Sequence, residues 1–441
     1  MGATQQPFAK PARDKLRDAL AAAFASRYRF AGGRFVLRRG PGDRGERPRK
    51  MGRPAWREIV RQIGILHEAY TGGAEAFRQQ ENPIHSLQAG YQFYFLPRNL
   101  FRVRRVLDQL RSPGGAGKQG VPAWPAGAPG EPFSVLDLGC GTGAFTLAVL
   151  SRLAEGGGLR ENPARLRLVL VDQGRELLDL AQANIRGYVE SALPGISLSL
   201  EVHADGVERF LSAGRGAAEF SVAGSAMMVN EFDLLGPRRA TGRAARFAVP
   251  LRRRVREGGL IILVEPGTRK GYMHLMAVRE IIGGLPILYP CPHLQPCPLW
   301  DSRVSRWCHA TFPLPRPFFF DRPLREEGGL RFSMRELNLC GLALRAGVDA
   351  TEKGAPPGRL RGDSPGTGRV VSGLLPAGGG RGRQPPEGLD AGPVVLLCTP
   401  EGKLREIPAA GLGRNPRGSW AEAEPAAAAK KRPEGRWKNG R

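Results

Sequence analysis

The chain has 441 residues, enough for two or three domains with a buried core, and a formal net charge of +25 at pH 7. This charge favours a polyanionic partner, with RNA as the first candidate, although coding bias toward arginine, glycine and proline is an alternative explanation. Six cysteines in a chain of this length do not fit a secreted disulfide framework, and no apolar run is long enough to span a bilayer. We therefore expect a soluble protein that works inside the cell and not in a membrane.

The first segment, residues 1–50, combines a helical pattern around Leu16 to Phe30 with a tract rich in arginine, glycine and proline. We interpret it as a basic flexible arm. Its arginines would suit organelle import, but Asp14 and Asp18 count against a transit peptide. Cytoplasm is the predicted location, and the mitochondrion is the alternative if the protein is eukaryotic.

Residues 51–111 predict a helical N-terminal domain, because apolar residues recur there at helical spacing. The aromatic residues within 91–99 are expected in its core, and a surface that stacks on RNA is the alternative. A linker rich in glycine, proline and alanine follows at 112–132.

From residue 133 to 287, short apolar runs alternate with helical stretches, which is typical of a parallel α/β sheet. This part is predicted to be a Rossmann-like domain that binds S-adenosylmethionine. The expected strands are 134–138, 167–171, 198–203, 225–230 and 259–264.

A glycine-rich motif follows the first of these strands and opens a helix, with Gly139, Gly141 and Gly143 in its turn. It is the first motif of S-adenosylmethionine methyltransferases, in which glycines allow the backbone to approach the cofactor closely. Asp137 is expected to fix the turn or to reach the methionine ammonium through water. A dinucleotide oxidoreductase is the competing interpretation, and the acidic residue inside the strand argues against it.

Two further acidic residues follow the next strands. Asp172 is placed to accept both ribose hydroxyls, or alternatively to cap the helix after it. Asp205 stands where an adenine-contacting residue is expected. The fourth strand lacks the motifs of base-amine and cytosine-carbon methylation, so the sequence assigns no catalytic base.

Residues 288–350 form a cysteine-rich region, in which Cys291, Cys297 and Cys308 are spaced for metal or cluster ligation. A fourth ligand is needed, and Cys398 is the strongest candidate because it closes an apolar strand within 393–410. Zinc and an iron-sulfur cluster both accept thiolates, and cysteines without a ligand are a further alternative. We expect a glycine-proline-rich loop at 351–392 and a flexible basic tail at 411–441.

Together these motifs resemble the methyltransferase-like family of small ribosomal subunit assembly factors, of the Rsm twenty-two and methyltransferase-like seventeen type. The likeness extends from Trp56 to about Val395, and it includes residues 94–99, 229–232, 264–268 and 397–402 beside the glycine motif and the cysteines. The resemblance implies a class I methyltransferase fold with an N-terminal helical domain and a cysteine-ligated cluster subdomain.

For function, the resemblance implies a 4Fe-4S cluster held by Cys291, Cys297, Cys308 and Cys398, and binding to small-subunit rRNA during ribosome assembly. It also implies that methyl transfer is uncertain in such a protein. An active RNA methyltransferase and a zinc-stabilised interaction scaffold are the alternative functions.

Overall fold

The computed structural model describes residues 10–31, 34–37, 51–71, 87–110, 125, 130–156, 165–213, 219–231, 237–291, 293–300, 307–316, 318–331, 335–347, 367–370, 394–398, 404–408 and 420–422. Within these residues, no helix is both long and apolar enough to cross a membrane. The predicted linker at 112–132 lies almost wholly outside them.

Helices make up most of the N-terminal part of the chain. In order, the elements are α1 (Lys10–Arg27), β1 (Tyr28–Ala31), β2 (Arg34–Leu37), α2 (Arg53–Thr71), α3 (Gln88–Gly90), a π-helical turn (Tyr91–Phe95) and α4 (Leu96–Gln109). In α4 the buried residues Leu100, Val103 and Leu107 recur at helical spacing, and Pro97 lies in the first turn, where its missing N–H costs little. This stripe packs α4 into a core shared with the sheet that follows.

A mixed sheet with flanking helices forms the centre of the chain. Its elements are β3 (Phe133–Leu138), α5 (Ala144–Gly156), β4 (Arg165–Asp172), α6 (Arg175–Ala192), β5 (Ser197–Ala204), α7 (Val207–Ala213), β6 (Phe220–Ala226), a 3-10 turn (Val229–Glu231), α8 (Pro237–Arg254), β7 (Val255–Pro266), α9 (Arg269–Ile282), β8 (Ile287–Tyr289), β9 (Ala310–Pro313), α10 (Asp321–Glu326) and β10 (Glu336–Arg345).

The strand order of this sheet is β5-β4-β3-β6-β7-β10-β8, with β9 pairing to β10 beside this path. Strands β3 to β7 are parallel, whereas β10 is antiparallel to both of its neighbours. A doubly wound sheet in this order, with one antiparallel strand inserted after the parallel ones, is the class I methyltransferase topology. The predicted Rossmann-like α/β fold is therefore confirmed.

Alternation along the strands directs side chains into two separate cores. On β3, Val135 lies in the core shared with the helical N-terminal part, whereas Leu136 lies in the core on the opposite face. This second core also contains Cys291, Cys297 and Cys398. The sheet thus has these three cysteines on one face, whereas Phe318 and Phe320 from the same cysteine-rich region lie in the core that contains the helical domain.

A second, antiparallel sheet contains β11 (Thr367–Val370), β12 (Val394–Cys398), β13 (Leu404–Pro408) and β14 (Trp420–Glu422), in the order β13-β12-β11-β14. Strand β11 lies within the predicted loop at 351–392, and β14 lies within the predicted tail at 411–441. These two strands correct the loop and tail predictions, and the rest of both segments lies outside the described residues.

The predicted flexible arm at 1–50 also contains ordered structure. Leu16 and Leu20 of α1 are fully buried, one turn apart on the same helix face. Arg27 at the end of α1 forms an ion pair with Asp179 of α6 at 2.8 Å. The described part of the arm therefore folds onto the sheet domain.

One expected strand is displaced. The prediction placed the fourth strand at 225–230, whereas β6 covers Phe220–Ala226 and the chain turns at Met227, which has φ of 67°. Small residues fill β6 because its neighbours approach closely: a Cβ on Gly224 would lie 2.0 Å from the carbonyl oxygen of Ile262. Because β6 consists mostly of small residues, its bounds are not marked by a run of bulky apolar side chains.

Candidate cofactor and cysteine sites

The glycine-rich turn after β3 lies at the carboxyl edge of the parallel strands. Gly139, Gly141 and Gly143 have φ of 63°, 51° and 91°, which residues with a side chain rarely adopt. A Cβ on Gly139 would also lie 2.3 Å from Cγ of Met228. The Gly139 amide donates to the Val171 carbonyl at 2.8 Å, which ties the turn to the end of β4. The three predicted glycines thus form one tight turn at the edge where such sheets bind ligands.

Asp137 on β3 is fully buried beneath this turn. Its Oδ2 accepts hydrogen bonds from the Thr146 amide at 3.1 Å and the Thr146 hydroxyl at 2.8 Å, which fixes the start of α5. Its Oδ1 has no hydrogen-bond partner among the described residues. Burial raises the pKa of Asp137 to about 7, although the two bonds from Thr146 oppose this rise. Oδ1 of Asp137 is therefore suited to accept a hydrogen bond from a cationic or N–H group of a bound molecule.

Asp172 holds the glycine turn from the end of β4. Its Oδ2 accepts from the Gly141 amide at 2.8 Å, and its Oδ1 accepts from the Gly174 amide at 2.8 Å. Gly174, and not Asp172, is the residue before the first turn of α6, so the helix-cap alternative does not describe this carboxylate. A carboxylate offers about four acceptor positions, so these bonds are compatible with contacts to ribose hydroxyls.

Asp205, the predicted adenine-contacting residue, follows β5. Its Oδ1 accepts from the Gly206 amide at 2.6 Å and from the side chain of Arg209. Its own amide donates to the carbonyl of Asp172 at 3.0 Å. The structure places Asp205 beside Asp172 at the sheet edge, with its carboxylate engaged in local contacts.

The turn Val229–Glu231 forms the opposite side of this edge. Glu265 at the end of β7 is fully buried, and its two oxygens accept from the amides of Val229 at 2.8 Å and Asn230 at 3.1 Å. Burial raises the pKa of Glu265 to about 8, against the effect of these bonds. His274 of α9 contacts the Val229 carbonyl through Nδ1, and burial lowers its pKa to about 4. Two buried side chains therefore hold the turn after β6 in place.

The helical domain contacts the glycine turn through a buried amide pair. Nε2 of Gln92 donates to Oδ1 of Asn184 at 2.7 Å, and Nδ2 of Asn184 donates back to Oε1 of Gln92 at 2.9 Å. The same Asn184 nitrogen donates to the carbonyl of Thr142, inside the glycine turn, at 3.0 Å. Nε2 of Gln92 also reaches the Leu20 carbonyl of α1 at 2.8 Å. This network, which we call the amide bridge, joins α1, the π-helical turn, α6 and the cofactor edge.

Two tyrosines of the helical domain lie near the same edge. The hydroxyls of Tyr70 and Tyr91 share a hydrogen bond, and their rings meet edge to face with centroids 6.5 Å apart. Burial raises the pKa of Tyr91, and the negative charges of Glu231 and Asp172 add to this rise. The charges of both acidic residues of the cofactor edge thus add to the effect of burial on Tyr91.

Four cysteines from two distant stretches lie in one neighbourhood. Cys291, Cys297 and Cys398 are buried, and Cys308 is half-buried. Cys291, Cys297 and Cys398 belong to one buried core, and Cys308 packs against it. Burial raises the pKa of Cys398, and the charges of the other three cysteines raise it further. No three His, Cys, Asp or Glu residues of the described ranges have the geometry of a metal site. The four cysteine ligands and the cluster therefore stay predictions.

Polar groups surround these sulfurs. The hydroxyl of Tyr272 lies 3.3 Å from Sγ of Cys297, and Nε2 of His293 lies 3.2 Å from Sγ of Cys398. Arg279 of α9 donates to the carbonyl of Gln295, within the cysteine-rich loop. Helix α9 thus fixes this loop on one side and the turn after β6 on the other.

The remaining cysteines have other surroundings. Sγ of Cys340 donates to the Cys308 carbonyl at 3.3 Å, and Cys140 is buried in the glycine turn. His309 stacks on Trp307 with ring centroids 5.2 Å apart.

Matches to known proteins cover part of the chain. The family model described as mitochondrial small ribosomal subunit Rsm22 matches residues 248–316, which include Cys291, Cys297 and Cys308. The human protein named ribosome assembly protein METTL17, mitochondrial, is 27% identical over 219 residues, which are 46% of this chain and 41% of the human protein. The match thus spans less than half of that relative. Both matches confirm the resemblance that the motifs predict.

Similar solved structures are S-adenosylmethionine-dependent methyltransferases. One, a class I enzyme of Listeria monocytogenes, has 14% identity and a TM-score of 0.32, over 77% of this chain and 90% of that one. An arsenic(III) methyltransferase of Chlamydomonas reinhardtii has 16% identity and a TM-score of 0.28, over 58% and 76% of the two chains.

Proposed function

We propose that this chain, a relative of the Rsm22 and METTL17 ribosome assembly proteins, is a methyltransferase-like factor that binds small-subunit rRNA during ribosome assembly. One observation carries the proposal: the chain combines a glycine turn at the carboxyl edge of its sheet with a buried core that contains Cys291, Cys297 and Cys398 and contacts Cys308. Three of those cysteines fall within the family match. A role in ribosome assembly agrees with the name of the human relative, and the family model is described by the small ribosomal subunit. RNA binding and the bound groups are our inference.

S-adenosylmethionine is the proposed cofactor, and it would supply a methyl group on a positively charged sulfur. In this site the backbone at Gly139 and Gly141 would accept close approach of the cofactor. The remaining oxygen of Asp137 would accept from its ammonium group, and Asp172 would hold the ribose hydroxyls. Asp205 is the proposed neighbour of the adenine.

A 4Fe-4S cluster is the proposed occupant of the cysteine site, and zinc is the alternative. The chemistry of the donor set fits a cluster, since four cysteine thiolates are the usual ligands of one. Tyr272 and His293 would donate hydrogen bonds to ligand sulfurs, an arrangement that stabilises such groups and tunes their potential. The proposed ligands are Cys291, Cys297, Cys308 and Cys398.

The charge of the chain supports RNA as the partner. Helix α8 exposes Arg246, Arg252 and Arg253 on the surface, and the last two lie within the family match. Such side chains bind phosphates and release counterions, so affinity should fall steeply with salt. We propose that this face contributes to rRNA binding.

An active RNA methyltransferase is a second candidate function, which the intact glycine turn favours. The two functions differ in methyl transfer to small subunits prepared from a deletion strain, with Asp172→Ala as the control. Methyl incorporation that depends on Asp172 would establish that the chain is an active RNA methyltransferase. Binding of S-adenosylhomocysteine without incorporation would leave assembly as the function.

The decisive experiment is purification without oxygen, followed by the visible spectrum and by assays for iron, acid-labile sulfide and zinc. A brown protein with matched iron and sulfide that retains small-subunit rRNA would support the proposal. A colourless protein with one zinc and no affinity for rRNA would replace it with the interaction scaffold. Fractionation of cells that express the full chain would decide between the predicted cytoplasmic location and the mitochondrial alternative.

A further inference from the structure

An exposed aromatic surface of the helical domain stands out beside the cofactor edge. Tyr70 at the end of α2 keeps 38% of its surface exposed, and Tyr91 and Phe95 in the π-helical turn are half-buried. The Phe95 ring lies 5.8 Å from both tyrosine rings, centroid to centroid. We call these three side chains the aromatic platform. Most other aromatic residues of the described helical domain are buried in its core.

The platform is built on a firm base. Leu66, Ala69 and Leu87 form a small buried cluster, and Tyr91 and Phe95 pack against it. The π-helical turn that presents these two rings is a rare backbone form that is frequent at functional sites. The rings therefore have a fixed orientation before any partner arrives.

The platform is also held at a defined place in the fold. Tyr91 is followed directly by Gln92, whose amide bonds through Asn184 to the Thr142 carbonyl in the glycine turn. The charges of Asp172 and Glu231, from either side of the cofactor edge, act on Tyr91. The hydrogen bonds of Gln92 and Asn184 locate the three rings next to the cofactor turn, on the side where the helical domain contacts it.

We propose that Tyr70, Tyr91 and Phe95 form a stacking surface for an unpaired nucleobase of the bound RNA, next to the cofactor turn. Exposed aromatic rings bind bases that have been freed from pairing, since every base has a stacking face. The proposal rests on the proposed RNA-binding function and names the part of the RNA that reaches the cofactor edge.

The test uses the full chain purified without oxygen and saturated with S-adenosylhomocysteine. Two fluorescent probes are compared by anisotropy: a single-stranded RNA of about 12 nucleotides and the same backbone without bases. Tyr70→Ala should weaken binding of the base-bearing RNA about tenfold and leave the abasic probe unchanged. Tyr70→Phe should retain binding, because the ring remains. Phe95→Leu provides a second variant that removes a ring without removing apolar packing.

A matched control is Val202→Ala, which trims another exposed apolar side chain, on the edge strand β5. It should bind both probes like the wild type. Equal weakening of both probes by Tyr70→Ala, or no weakening of either, would overturn the platform. Weaker binding of S-adenosylhomocysteine by Tyr70→Ala with unchanged RNA binding would overturn it too, because the ring would then belong to the cofactor site. If the wild type binds neither probe, the proposed RNA-binding function itself fails.

Discussion

Replacing Asn184 by leucine should loosen the joint between the helical domain and the cofactor edge. Asn184 is fully buried, and leucine has a similar volume without the amide. The substitution removes three hydrogen bonds, two shared with Gln92 and one to the Thr142 carbonyl. It also leaves the Gln92 and Thr142 oxygens without these donors.

The expected cost follows from these contacts. Each intramolecular hydrogen bond contributes about 1 kcal/mol, and a buried acceptor left without its partner costs about 1–3 kcal/mol. Asn184→Leu should therefore lower the free energy of unfolding by about 3 kcal/mol, or the melting temperature by roughly 5–10 °C. Because Thr142 belongs to the glycine turn, affinity for S-adenosylhomocysteine should fall as well.

Thermal unfolding followed by tryptophan fluorescence, with calorimetric titration of S-adenosylhomocysteine, measures both effects. Ser191→Ala on the same helix is the matched control, since Ser191 is exposed and its hydroxyl bonds only to the local Tyr188 carbonyl at 3.1 Å. We expect that control within about 0.5 kcal/mol of the wild type. If Asn184→Leu were as stable as Ser191→Ala, the amide bridge would not join the two domains.

Three further substitutions test the two sites. Gly139→Ala should abolish S-adenosylhomocysteine binding. It should also lower the melting temperature more than Gly141→Ala, because both residues have positive φ but only a Cβ at position 139 would meet another side chain. In the folded wild type the pKa of Asp137 is about 7, above its ordinary value of 3.8, so the free energy of unfolding should fall as pH rises from about 4 to 7. Asp137→Asn should remove this contribution and flatten the pH dependence of the free energy of unfolding. A wild type whose stability does not change over that range would contradict this assignment. Cys297→Ser should release the proposed metal and lower the melting temperature, whereas Cys340→Ser should retain the metal. Metal content and melting temperature measure both effects. Equal metal loss from the two variants would argue against the proposed ligand set.

The glycine turn and its acids could be predicted because their signals are local. Strand, turn and helix follow one another within a few residues, so Asp137 and Gly139 mark the site without any knowledge of the fold. Asp172 and Asp205 each follow a strand directly, and the carboxyl ends of parallel strands meet at one edge. Cys398 was predictable as a ligand candidate because it ends an apolar strand, but its approach to the other cysteines depends on how the second sheet docks.

Other site residues gave weaker signals. Glu265 ends an apolar strand, as Asp172 does, and this position is its sequence signal. Its hydrogen bonds to the turn after β6 could not be predicted, because they arise from tertiary packing. His274 and Tyr70 lie on amphipathic helices, where spacing alone does not distinguish a core residue from a site residue. The helical pattern around Leu16 predicted α1, but its packing on the sheet domain was not predicted, because that packing depends on tertiary contacts such as the ion pair of Arg27 with Asp179.

The order of the cysteines along the chain has a consequence for biosynthesis. Three of them occur between residues 291 and 308, whereas Cys398 belongs to a sheet made from the part of the chain after residue 366. A metal group that requires all four sulfurs can be completed only after Cys398 has left the ribosomal exit tunnel. Chains that stop earlier would contain the whole cofactor edge but only three of the four proposed ligands. If the proposed ligand set is right, metal content would report whether synthesis had passed this point.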